Sequence, residues 1–195
     1  MVEQPVLRIF GLVREAIARA TWALLNGDTQ LGQAVIDGDQ EIDDATAELE
    51  LDVWARLEAG DYARDDLRPL VGILLILPEL ERSGDLAEHI AHRALTNVGS
   101  EMTPVARGIV QRMSEVAAEM WQLVATAFVN HDAQNLELQE EDEELDILHD
   151  RLTAEIAKGE MPTAVTAQVT LLARFYERLG DHAVNLSRRI AALEQ

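Results

Sequence analysis

Leu80-Glu81-Arg82-Ser83-Gly84-Asp85 returns ninety-six residues later as Tyr176-Glu177-Arg178-Leu179-Gly180-Asp181, followed by His182. A recurrence of this kind is the mark of an internal duplication, and it can be followed outward from the motif. Val35, Asp39, Ile42, Asp43, Leu49 and Val53 recur without a gap as Leu138, Asp142, Leu145, Asp146, Leu152 and Ile156. Every apolar position returns apolar. The connection from this segment to the quoted motif is seven residues shorter in the second half, and Asn26-Gly27-Asp28 aligns with Asn130-His131-Asp132.

The duplicated segments read as helices. Asn26-Gly27-Asp28, Gly60-Asp61, Asn97-Val98-Gly99-Ser100, Asn130-His131-Asp132 and Gly159-Glu160-Met161-Pro162 separate six long stretches of helix-favouring sequence. They predict helices near 5–26, 29–59, 63–96, 103–130, 133–158 and 162–193, with Pro104 and Pro162 near first-turn positions where a missing N–H costs nothing. Three helices with short connections pack antiparallel to hide their apolar stripes. The expected fold is therefore all-α: two tandem antiparallel three-helix bundles, residues 1–97 and 98–195, end to end or side by side, divided near Asn97–Thr103. The first helix is short beside its counterpart, which predicts an exposed apolar strip on the first bundle and makes a homo-oligomer plausible.

Composition narrows the function. A chain of 195 residues can bury a core without staples. Cysteine is absent, so disulfides, thiolate zinc sites and cysteine nucleophiles are excluded, and a reducing cytoplasm is expected. No signal-like opening and no apolar run of about 18 residues is present, so membrane contact is expected only through partners. The formal net charge of −20 repels nucleic acid phosphates and favours cations and basic protein surfaces.

The acidic residues are patterned. Residues four apart share one side of a helix, so Asp39/Asp43, Glu81/Asp85, Asp142/Asp146 and Glu177/Asp181 each set two carboxylates in line, at a cost of a few tenths of a kcal/mol per uncompensated pair. Asp39 and Asp142 fall among apolar positions of their helices and so border the core. A carboxylate there needs a hydrogen-bond partner, a proton or a metal ion. Adjacent helices can join the aspartate pair of the second helix to the Glu/Asp pair of the third, an all-oxygen set suited to Mg²⁺, Mn²⁺, Ca²⁺ or iron. The plainer alternative is a solvated acidic face with Arg82 and Arg178 as ion-pair partners. Gly84 and Gly180, each costing about 1 kcal/mol inside a helix, point to close helix approach. His89, one turn past Asp85, is an optional ligand; His92, His131, His149 and His182 read as surface or packing residues, and Trp22, Trp54 and Trp121 as core anchors.

Leu-Glu-Arg-Ser-Gly-Asp at 80–85, Tyr-Glu-Arg-Leu-Gly-Asp-His at 176–182 and Asp-Asp-Leu-Arg at 65–68, with the four acidic pairs, resemble the signatures of the PhoU family over nearly the whole chain. The resemblance implies a cytoplasmic, non-enzymatic regulator of phosphate uptake and phosphate-starvation signalling. It implies metal clusters (iron, manganese, magnesium, calcium or zinc) on Asp39, Asp43, Glu81, Asp85, Asp142, Asp146, Glu177 and Asp181. It also implies that the partners are the phosphate ABC transporter ATPase and a histidine sensor kinase. Pro78, inside the third helix just before Glu81, makes the second-half set the more regular expectation. Two other classes stay open: a metal-free structural or oligomerising bundle, and a carboxylate-bridged metal enzyme. The latter usually carries Glu-x-x-His, whereas the third positions after Glu81 and Glu177 are Gly84 and Gly180.

Overall fold

A computed structural model describes residues 2–60, 62–63 and 66–193; Asp61 and Asp65, the latter part of the 65–68 motif, lie outside the described residues. The described chain is helical throughout: α1 (Glu3–Asn26), α2 (Thr29–Ala59), α3 (Leu67–Ala94), a single-turn α4 (Val98–Glu101), α5 (Pro104–Asn130), α6 (Gln139–Ala157) and α7 (Thr163–Leu193). No described helix is long and apolar enough to cross a membrane.

The two helix ends that align in sequence also end alike. Gly27 and His131 both take left-handed backbone, φ 65° and 51°, and their N–H groups return to Ala23 O and Ala127 O. Such a reversal satisfies carbonyls left free at a helix C-terminus. α3 runs unbroken through Pro78. The sixfold helical reading holds, with two shifts. The third helix starts at Leu67 rather than near 63, and the fifth expected helix starts at Gln139, after a 3-10 turn at Ala133–Asn135. Glu140, Glu141 and Asp142 then occupy the first turn of α6, where the positive end of the helix dipole favours them.

α1, α2 and α3 pack together, as do α5, α6 and α7. The bundles lie side by side: α2, α3, α7 and α6 form one layer in that order, and α1 and α5 form a second behind it. The expected apolar strip is not exposed. Val6, Ile9, Val13, Ile17, Ala20 and Leu24 of α1 are fully buried, because α1 packs on α5 as well as on α2 and α3. Phe10 stacks near Trp121 at 5.8 Å, and the Tyr176 hydroxyl bonds Thr21 Oγ1 at 2.6 Å, tying the second repeat to the first. Thr21 gives its own proton to Ile17 O, so Tyr176 is the donor. Trp121 is a core anchor, donating to Leu179 O at 3.1 Å, but Trp22 and Trp54 are about half exposed.

The repeat junction is pinned at Thr103. Its Oγ1 accepts from Ala106 N at 3.1 Å, capping α5, and donates to the buried Glu155 at 2.7 Å. Thr103→Ala therefore lowers the unfolding free energy by about 1–2 kcal/mol, the usual loss for a cap of this type, as measured by urea titration.

Candidate metal centre

Asp39 and Asp43 lie one turn apart on α2, half-buried where it packs against α3. Gly84 admits them. A Cβ at that position would sit 2.9 Å from Asp39 Oδ1 and 3.1 Å from Ile42 Cδ1. A side chain there would displace the Asp39 carboxylate and crowd the Ile42 side chain, which is the close approach the paired glycines imply. In the second repeat a Cβ on Gly180 would sit 2.6 Å from Leu145 Cδ1 and 3.8 Å from Asp142 Oδ1.

The groove between α2 and α3 brings Asp39, Asp43 and Asp85 together, with one carboxylate oxygen from each inside a common 4.8 Å. Among the described residues, no Lys, Arg or His pairs with Asp39, Asp43, Glu81 or Asp85. Burial, reinforced by the charges of Asp43, Glu88, Asp85 and Glu81, pushes the Asp39 carboxyl up to about 7. Glu81 thus adds negative potential without joining the trio, and Glu88 does the same although the sequence reading passed over it. Its signal was available: Glu81, Asp85 and Glu88 follow i, i+4, i+7 spacing on α3. Its counterpart in the second repeat is Val184, so a search for duplicated acids misses it.

The second groove differs. Burial and the charges of Asp146 and Asp181 raise the Asp142 carboxyl, while Arg188 opposes them. Glu177 turns to Arg174 at 3.0 Å and His149 at 3.8 Å instead of joining the aspartates. The structure thus reverses the expected order: among the described residues the tight trio is in the first repeat, despite Pro78. The trio does not include His89, whose Nδ1 lies 2.6 Å from Asp85 O and whose ring meets Phe175 at 5.5 Å. Three carboxylates without a neighbouring cation form a hard-oxygen donor set, and Mg²⁺, Mn²⁺, Ca²⁺ or iron fits it, water completing the shell.

A PhoU domain profile matches residues 6–94 and again 110–190. The chain belongs to the PhoU family. The duplicate match places each acidic groove of this PhoU-family chain inside its own PhoU domain. A phosphate-specific transport system accessory protein, PhoU homolog 2, of Mycobacterium tuberculosis is 33% identical over 184 residues, 92% of this chain and 86% of that protein. The crystal structure of the phosphate transport system regulatory protein PhoU from Streptococcus pneumoniae superposes with a TM-score of 0.89 at 26% identity, covering 100% of this chain and 93% of that one. PhoU from Pseudomonas aeruginosa superposes with a TM-score of 0.87, also at 26% identity, covering 98% and 94%.

One inter-repeat contact of this PhoU-family chain was invisible to the repeat search. Glu79, 5% exposed, pairs with Arg189 at 3.1 Å and lies 3.7 Å from His182 Nε2, and Ser83 Oγ bonds His182 Nδ1 at 2.8 Å. The counterparts of Glu79 and Arg189 are Phe175 and Arg93, and there the guanidinium stacks on the ring at 4.9 Å. The same two positions meet on both sides of the α3–α7 seam, once as an ion pair and once as a cation–π contact. Identity of residue type was lost while the contact was kept.

Proposed function

We propose that this chain is a non-enzymatic regulator of phosphate uptake and phosphate-starvation signalling. In this reading it is a metal-binding adaptor that works with the phosphate ABC transporter ATPase and a histidine sensor kinase at the inner face of the membrane. The role in phosphate transport is supported by the family and by relatives named as accessory proteins of the phosphate-specific transport system. Cation binding is supported by one observation above all: Asp39 is partly buried in the groove beside four other carboxylates, and burial first, then their charges, raise its carboxyl to about 7. Asp39, Asp43 and Asp85 would hold the ion directly, with Glu81 and Glu88 adding attraction. Asp142, Asp146 and Asp181 would form a weaker second site, because Arg188 already offsets part of the charge, while Glu177 is paired with Arg174.

The test is a phosphate-starvation reporter in cells whose only copy carries Asp39→Asn and Asp43→Asn. The reporter is expected to switch on in phosphate-replete medium while protein levels stay normal. A reporter that stays silent in replete medium contradicts the proposal.

A further inference from the structure

The acid of this chain is sorted by helix. α2 carries nine acidic residues and one arginine, and α6 eight and one; the other four long helices carry twelve arginines and ten acids. The arginines of the repeated motif show what this sorting leaves over. Arg82 and Arg178 stand at equivalent positions on α3 and α7, are exposed, and form no side-chain ion pair or hydrogen bond among the described residues. Both lie close enough to His182 to act electrostatically on its ring, so both flank the α3–α7 seam. Two turns away on the same helices, Leu75 and Leu171 are also equivalent, and they are 50% and 41% exposed. α3 and α7 run antiparallel, as the contacts of Ser83 with His182, of Glu79 with Arg189 and of His89 with Phe175 require. The four residues therefore form an approximately two-fold arrangement, with two arginines inside and two leucines outside.

In a chain of net charge −20, arginines have carboxylates within easy reach. Two that stay unpaired at duplicated positions are available to an external anion. Leu75 lies opposite the Arg189 end of α7, and Leu171 opposite the Arg93 end of α3. The leucines thus bracket about 18 residues of α3, roughly 27 Å of helix. We propose that the α3–α7 seam is the docking surface for an acidic amphipathic helix of a partner protein, whose carboxylates meet Arg82 and Arg178 and whose apolar side chains cover Leu75 and Leu171. Charge complementarity and apolar anchors at helical spacing are how such helices are read. A narrow element can lie along the seam between the acidic α2 and α6. A flat anionic membrane would meet those two helices as well, and a second copy would bring another net charge of −20. The inference rests on the adaptor reading only in requiring a partner.

The probe is a fluorescein-labelled 18-residue amphipathic peptide with a leucine stripe flanked by glutamates, titrated with the full chain and read by anisotropy. Binding is expected to weaken at least tenfold in the double variant R82Q/R178Q and in L75A/L171A, and to weaken with added salt. It should be unchanged in R151Q, which removes an exposed arginine on α6. Circular dichroism should show all variants folded, since none of these side chains is buried. Absence of binding, or equal binding by wild type and R82Q/R178Q, overturns the proposal. So does an R82Q/R178Q-sensitive association with phosphatidylglycerol vesicles, or an R82Q/R178Q-sensitive dimer in sedimentation, found in place of peptide binding; these would assign the seam to a membrane or to a second copy. The reporter with Asp39→Asn and Asp43→Asn responds to the adaptor reading separately, so the two can fail independently.

Discussion

Asp39→Asn raises the stability of the metal-free protein by about 1–3 kcal/mol at pH 8 and lowers its stability in the presence of Mn²⁺. The first half follows from linkage. The carboxyl titrates near 7 in the folded chain against an ordinary value of 3.8, because it is buried and surrounded by Asp43, Glu88, Asp85 and Glu81. A raised carboxyl favours the folded state while protonated, and that advantage is lost as pH rises from about 4 through about 7. Above 7 the full cost of the charge is present, and asparagine removes it. A shift of this size converts to several kcal/mol at most, reduced here because the groove is open to solvent. The gain over wild type should therefore shrink toward zero near pH 4. The second half follows from mass action, since an ion that binds only the folded state stabilises it in proportion to its occupancy, and the variant lacks a ligand. Urea titrations in EDTA and in Mn²⁺, at pH 8 and pH 4, check both. A variant less stable than wild type in EDTA at pH 8 contradicts the electrostatic reading of the groove.

Gly99→Ala costs about 3 kcal/mol or more, the largest loss expected from adding one methyl group to this chain. A Cβ at Gly99 would sit 1.8 Å from Leu24 O and 2.8 Å from Leu24 C. Neither atom can give way easily. The end of α1 is fixed by the left-handed Gly27, and Arg107 donates to both Gly99 O and Leu25 O, holding the α4 turn against α1. Overpacking against rigid backbone forces shifts that ordinarily cost 1–3 kcal/mol and sometimes more. Gly108→Ala, on the open side of α5, is the matched control. Nothing lies within 4 Å of its Cβ, so the substitution should stabilise by up to about 1 kcal/mol through helix propensity. Thermal midpoints of the two variants should move in opposite directions; a Gly99→Ala variant as stable as wild type contradicts the packing of the repeat junction.

The duplicated fold was legible because each repeat buries the same stripe. Val35, Ile42, Leu49 and Val53 are buried, as are Leu138, Leu145 and Leu152, with Ile156 partly covered. Gly84 and Gly180 were read as close-approach positions for the same reason: a glycine placed twice inside a helix must have a neighbour. The tryptophans show where type alone misleads. Trp22 and Trp54 sit one residue from the buried Thr21 and Val53, about 100° around their helices, and so face outward whatever their hydrophobicity. The inequality of the two acidic grooves was not legible from the acids, because it is set by what faces them from other turns. Glu88 intensifies the first groove, while Arg188 offsets the charge on Asp142 and Arg174 pairs with Glu177 in the second, and none of these belongs to the repeated motif. The pairing of Arg82 and Arg178 with nearby acids, a reasonable reading of adjacent opposite charges, fails because neighbours in sequence point to different sides of a helix.

The α2–α3 groove is tested most directly by the metal content of the protein purified without chelator and without a metal-affinity step. Elemental analysis should find a hard divalent or trivalent cation in wild type, most of it lost in Asp39→Asn and less of it in Asp142→Asn. Wild type with no metal above buffer background, or Asp39→Asn with an undiminished content, contradicts a cation held by Asp39, Asp43 and Asp85.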